Sequence, residues 1–219
     1  EYASVTYLEL VNKVLVRLRE DTVATVNQTA YSRLIGEFVN DAIRQVEDAW
    51  DWSALRTTLT VSTSSDIFNY VLTGSQNRVK ILDVVNDTSN FFLTYKDQHW
   101  FNNTFLNTTP AKGSPFFYTF NGIDANGDTQ VDLYPIPNGT YTLRFNVVQR
   151  TPEFTNDADE LLVPYLPVIH MAVALATRER GESGGNMTPE LFMSADRMLS
   201  DAIALDASKH PEELVFTAV

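Results

Sequence analysis

Cysteine is absent from the 219 residues, which excludes disulfides, thiolate nucleophiles and Cys-ligated zinc or iron–sulfur centres. No apolar run approaches the ~20 residues that cross a bilayer, and no basic stretch followed by an apolar one opens the chain. A soluble chain without a secretory signal is therefore expected. Basic residues are scarce, with 16 Lys and Arg against 28 Asp and Glu and a net charge of −12. Holding nucleic acid by neutralising phosphates needs a basic face, so the charge argues against that class. The 3 histidines, His99, His170 and His210, lie on separate segments without ligand spacing. No nucleophile elbow, Walker A loop, HExxH or dinucleotide fingerprint occurs, and no catalytic residue, cofactor or metal is expected.

What the chain does have is an order of patterns. Thr6 and Glu9 form a capping box ahead of Leu8, Val11, Leu15 and Leu18 at helical spacing, which predicts a helix over Tyr7 to Arg19. Leu34, Phe38, Ala42, Val46 and Ala49 predict a second, from about Thr29 to Trp50. At Asp51 the period changes to alternation, with strands expected at Thr57–Thr63, Val79–Val85, Pro115–Phe120, Thr129–Leu133 and Tyr141–Val148. Asn126-Gly127 and Asn138-Gly139 carry hairpin chemistry between such runs, and Tyr95–Leu106 reads as a short helix. Pro164 and Pro167 precede a segment, Val168–Ala176, that is apolar nearly all round, as suits a helix at the centre of a bundle or one buried by a neighbouring subunit. Gly181, Gly184 and Gly185 end it. Thr188 as N-cap and Pro189 at the first helical position open a last helix with Leu191, Ala195, Met198, Ala202 and Leu205 on one face. Beyond Pro211 the chain ends in an apolar Leu-Val-Phe stretch, which is costly unless it docks.

These patterns predict an α+β fold: a four-helix body from the N- and C-terminal segments, an inserted antiparallel β domain and an extended C-terminal arm. The expected divisions are 1–56 (helix pair), 57–150 (β domain), 151–207 (helix pair packing on 1–56) and 208–219 (arm). Acidity is uneven across them: 1–56 holds 6 basic and 9 acidic residues, 57–150 holds 6 and 7, and 151–219 holds 4 and 12, a net −8.

Asp124, Asn126, Asp128 and Asp132 resemble the start of a calcium loop. The spacing fails, because Gly127 falls between the second and third oxygen positions and Pro135 stands where the bidentate Glu is required. A solvated hairpin turn is the expectation. His170 in the apolar helix is expected as a core or interface histidine, and Trp50 and Trp52 as packing residues at the helix-to-strand junction.

The train of Trp50-Asp51-Trp52, Gly113–Tyr118, Val131–Pro137 and Thr140–Phe145, followed by the acidic Asn156–Glu160 loop, Val163-Pro164 and the final helix pair, resembles the head-to-tail adaptor (connector) proteins of tailed bacteriophages. That group includes the tail tubular protein A type. The resemblance implies a structural virion protein, not an enzyme. It would form a twelve-fold homo-oligomeric ring between the portal protein and a tail or nozzle protein, around the channel through which DNA passes without specific binding. It implies a location at the head–tail junction of the virion, with host cytoplasm during assembly, and no membrane partner. Leu214, Val215, Phe216 and Val219 would be the portal-docking arm, and Asn126, Gly127, Asn138 and Gly139 candidate tail-facing or subunit-contact turns. Trp, Tyr and Asn in the β-rich middle suggest one alternative, a carbohydrate-binding or host-recognition module.

Overall fold

Helix starts are fixed by local hydrogen bonds. Thr6 Oγ1 accepts from the Glu9 N–H at 3.3 Å while the Glu9 carboxylate accepts from the Thr6 N–H at 3.0 Å, closing the box read from the sequence. Thr29 and Ser32 form a second box, in which Ser32 replaces the usual Glu or Gln. The computed structural model describes residues 4–181 and 188–209. In chain order the elements are β1 (Val5–Thr6), α1 (Tyr7–Arg17), α2 (Ala30–Ala49), β2 (Arg56–Ser62), β3 (Asn69–Val71), β4 (Val79–Asn86), β5 (Phe91–Phe92), β6 (Thr94–Tyr95), α3 (Gln98–Asn107), β7 (Phe117–Ile123), β8 (Thr129–Tyr134), β9 (Thr142–Gln149), β10 (Glu160–Leu161), α4 (Tyr165–Arg180) and α5 (Thr188–Ala207). The fold is mixed α+β, with five helices and mainly antiparallel sheets.

The chain divides into two compact units, 1–55 with 151–219, and 56–150. In the first, α4 packs against α1, α2 and α5, so an all-round apolar helix finds a neighbour for each side. Its Val168, Ile169, Ala172 and Ala174 are fully buried. Gly181, at φ +64°, ends it in the left-handed conformation that suits glycine. Arg178 lies 5.4 Å from the Phe192 ring centroid at one end of the α4–α5 pair, and Leu205 sits with Pro164–Pro167 at the other, so the two helices run antiparallel. Pairing of β1 with β10 joins the two distant chain segments of this unit.

Gly36 is where α2 meets the Tyr7 ring. A Cβ there would overlap the Tyr7 hydroxyl and come within 3.0 Å of Val26 Cγ1. Gly36→Ala is expected to cost about 1 kcal/mol net, because overpacking of ~2 kcal/mol exceeds the ~1 kcal/mol gain in helix propensity; a thermal melt checks this. Burial first, and then Glu37, Glu153, Asp157 and Asp159, push the Tyr7 phenol up to about 12.

The second unit holds two four-stranded sheets, ordered β2-β9-β4-β5 and β3-β8-β7-β6. Inward side chains of both sheets, among them Val84, Phe145, Val131 and Leu133, meet in one core. The strand pairings are antiparallel as expected, apart from the two-residue pairing of β6 with β7, which is parallel. Two expectations are corrected here. Asn138-Gly139 is not a hairpin turn: β8 and β9, on either side of it, belong to different sheets, and the loop is tied back to Thr63, whose hydroxyl donates to the Gly139 carbonyl at 2.9 Å. In the first unit Thr188 is already the first helical residue of α5, not its cap.

Candidate functional site

The candidate surfaces are those left open by packing among the described residues. The Asn126-Gly127 turn does close a hairpin, between β7 and β8. The Asp124 carboxylate accepts from the N–H groups of Asn126 and Asp128, at 2.9 and 2.8 Å, and Gly127 takes φ +84°, as such a turn requires. Asp128 accepts from the Gln76 N–H at 3.0 Å and buried Asp132 from the Asn69 amide at 2.7 Å. The three carboxylates of the segment that resembled a calcium loop, on Asp124, Asp128 and Asp132, thus accept from groups of their own fold. Asn126 and Asn138 are exposed, on separate loops.

The acidic loop at 156–160 is also structural in part. Asp159 accepts from the Thr155 and Asn156 N–H groups, both at 2.8 Å; the backbone bonds from Asn156 and then Thr155 hold its carboxyl below the usual range. Asp157 accepts from the Val26 N–H at 3.1 Å. Asp206 is buried and gathers three bonds, from Trp50 Nε1 (3.1 Å), the Ser53 N–H (3.1 Å) and the Ser53 hydroxyl (2.5 Å). Lys209 lies 3.4 Å from it. Trp52 is buried and donates to the Val46 carbonyl at 2.7 Å. Of the C-terminal acids, Glu190, Asp196 and Asp201 stand exposed on α5. His170 is half-buried on α4, its pKa lowered by burial and then by Arg17. His99 is exposed, and His210 lies outside the described residues.

Two apolar surfaces were not singled out by sequence reasoning. On the β unit, Phe92, Tyr95, Phe116 and Phe120 are exposed. Phe91 and Phe116 stack on each other at 4.4 Å, while Tyr95 and Phe120 tilt by 33°. Rings that close on one another or tilt apart offer protein side chains a surface better than they offer a sugar a flat platform. In the helical unit, Leu205, expected on one face of α5 with Ala195, is 57% exposed where Ala195 is buried, and lies beside Leu162 (52%) and Leu166 (42%). The run of consecutive aromatics Phe116-Phe117-Tyr118 carried a signal for the first surface, since successive strand residues face opposite sides and one of them had to face outward. The second had none, because it depends on where α4 begins against α5. The expected arm, Leu214, Val215, Phe216 and Val219, lies outside the described residues.

A family model described as SU10 adaptor protein matches residues 5–209, both helical segments and the whole β unit. The chain belongs to this family. SU10 adaptor proteins are structural phage proteins of the virion that contact other head or tail components. No curated protein matches the chain. The SU10 adaptor match ends at Lys209, so the apolar tail lies beyond it. Among the described residues no helix is long and apolar enough to cross a membrane.

Proposed function

We propose that this SU10 adaptor family member is a head-to-tail adaptor of the tail tubular protein A type, which assembles as a ring of twelve copies. The ring joins the portal protein to a tail or nozzle protein and surrounds the DNA exit channel. The family match across 5–209 is the observation that carries this reading. On it, α1, α2, α4 and α5 are the four-helix body, the β unit is the insert, and Asn126, Gly127, Asn138 and Gly139 lie in turns that face the tail or a neighbouring subunit. Leu214, Val215, Phe216 and Val219 form the arm that grips the portal. Assembly would take place in the host cytoplasm, and no cofactor is needed. The mutually tilted Tyr95 and Phe120, together with Phe91 and Phe116 stacked on each other, support a protein-contact role over the carbohydrate-binding alternative.

The arm is tested by truncation after Ala207. The shortened protein is expected to lose at least tenfold in affinity for portal rings, read by mass photometry of mixed samples; unchanged affinity removes the arm from the reading.

Charge gives the channel a role. Twelve copies at −12 each carry −144, and duplex DNA bears about one negative charge per 1.7 Å of axis. Acidic walls repel it over a Debye length of about 8 Å, so the passage does not adhere. Asp206, Asp157 and Asp159 are engaged by the fold, whereas Glu190, Asp196 and Asp201 stand exposed on one helix, α5, and supply the charge on this reading. Rings carrying Glu190→Lys, Asp196→Lys and Asp201→Lys are expected to retain duplex DNA at low salt in a mobility-shift assay where the parent ring does not. Equal mobility would place these acids outside the channel.

A further inference from the structure

The C-terminal half of α5 ends beside an open groove of about 500 Å³ within the helical unit. Val5, Leu161, Leu162, Val163, Tyr165 and Leu205 line it, and a shallower apolar depression of about 270 Å³ continues it along Pro164–Pro167. Leu162, Leu166 and Leu205, each more than two-fifths exposed, leave here a contiguous apolar surface that the described residues do not cover. Surfaces of this kind on a soluble domain mark a docking site.

The position of Lys209 points to the occupant, since it is itself a groove-lining residue. Ten residues follow, His210 to Val219, which reach at most about 33–36 Å when extended. Pro211 cannot continue a helix, and Glu212 and Glu213 separate it from Leu214-Val215-Phe216, the one apolar run of the segment. The five to seven residues from Lys209 to that run span up to about 25 Å, ample to return along a groove whose wall already includes Lys209. Short tethers give effective concentrations in the millimolar range, so even weak apolar contacts favour the segment of the same copy over any other.

We infer that in the free chain residues 212–219 dock in this groove of their own copy, with Leu214, Val215 and Phe216 against Leu162, Leu166 and Leu205. The docked segment covers the apolar face before assembly and keeps the arm from joining other copies. The inference concerns the chain alone; where the portal reading also holds, portal binding draws the segment out of the groove.

The absence of cysteine gives a clean test on the full-length chain without any portal. Leu205→Cys with Phe216→Cys is compared with Glu179→Cys with Phe216→Cys, in dilute protein under a glutathione redox buffer. Glu179 is an exposed residue in the last turn of α4, about 20 Å along the helix from the groove by the 1.5 Å rise per residue. The groove pair is expected to form its intramolecular disulfide at least tenfold faster, read as a faster-migrating monomer. Equal rates, or disulfides only between copies, overturn the inference. A second measurement leaves the fold untouched: Phe216→Asp is expected to speed amide exchange at 161–166 at least fivefold, and unchanged exchange there overturns it as well. Neither assay contains portal, so a negative result leaves the portal reading standing, and a failed portal assay leaves these results standing.

Discussion

Asp206→Ala is expected to lower the stability of the helical unit by about 3 kcal/mol, enough to consume a large part of a typical domain's margin. The substitution removes the acceptor for the Trp50 indole, the Ser53 N–H and the Ser53 hydroxyl together. A half-buried donor left without a partner costs roughly 1–3 kcal/mol, and the small Ala leaves a void where the carboxylate sat. Loss of the exposed Lys209 contact adds little. Urea unfolding followed by tryptophan fluorescence checks the figure, because Trp50 and Trp52 both report this unit.

The same carboxylate sets an acid limit. Burial by itself pushes the Asp206 pKa up, but hydrogen bonds from the Ser53 side chain and backbone, from Trp50 and from Lys209 outweigh it, and the net shift is downward. A folded pKa below the unfolded value means the stabilisation is fully present above the unfolded pKa of about 3.9 and is lost as pH falls through the folded one. Wild-type chain is therefore expected to lose this contribution from about pH 4 downward. Asp206→Asn, which has no proton to gain, is expected to show a correspondingly flatter stability profile below pH 4. Parallel profiles for the two proteins would contradict the assignment.

Phe145→Ala is the expected counterpart in the β unit, at about 4 kcal/mol, within the ~3–5 kcal/mol range for a buried Phe. Phe145 is fully buried on β9, the strand between β2 and β4, and faces Leu59 on one side and Val84 on the other. Its ring meets Tyr118 of the other sheet edge-on, with centroids 6.4 Å apart. Removing it therefore opens a void where the two sheets meet, which flanking β-strand backbones cannot easily close. Segment-resolved hydrogen exchange distinguishes the two variants. Phe145→Ala should expose amides of 56–150 first, and Asp206→Ala those of α2 and α5; the reverse pattern would contradict the division of the chain.

Particular elements show how far the chain could be read unaided. Thr6 and Glu9 announced α1, and the apolar circumference of 168–176 announced a helix surrounded by neighbours, as α4 is by α1, α2 and α5. Asn126-Gly127 gave a hairpin and Asn138-Gly139 did not, although the dipeptides match. The difference lies in which sheet the next strand joins. That choice is made by contacts such as Leu59 and Val84 with Phe145, far from the turn. The two-residue strands β1, β5, β6 and β10 were missed because two residues carry no period to detect.

The candidate surfaces divide the same way. Charge, the lack of cysteine and the apolar tail are properties of composition and order, and the sequence alone determined them, together with the helices whose caps and stripes repeat within a few residues. Only the tertiary structure decided that Asp206 would be buried against Ser53, 153 positions away. It also decided that Leu205 would face an open groove and that β8 and β9 would part into two sheets. The physical reason is range. Helix signals arise from neighbours three and four residues apart, whereas strand pairing, buried acceptors and open grooves arise where distant segments meet, and no local pattern encodes that meeting.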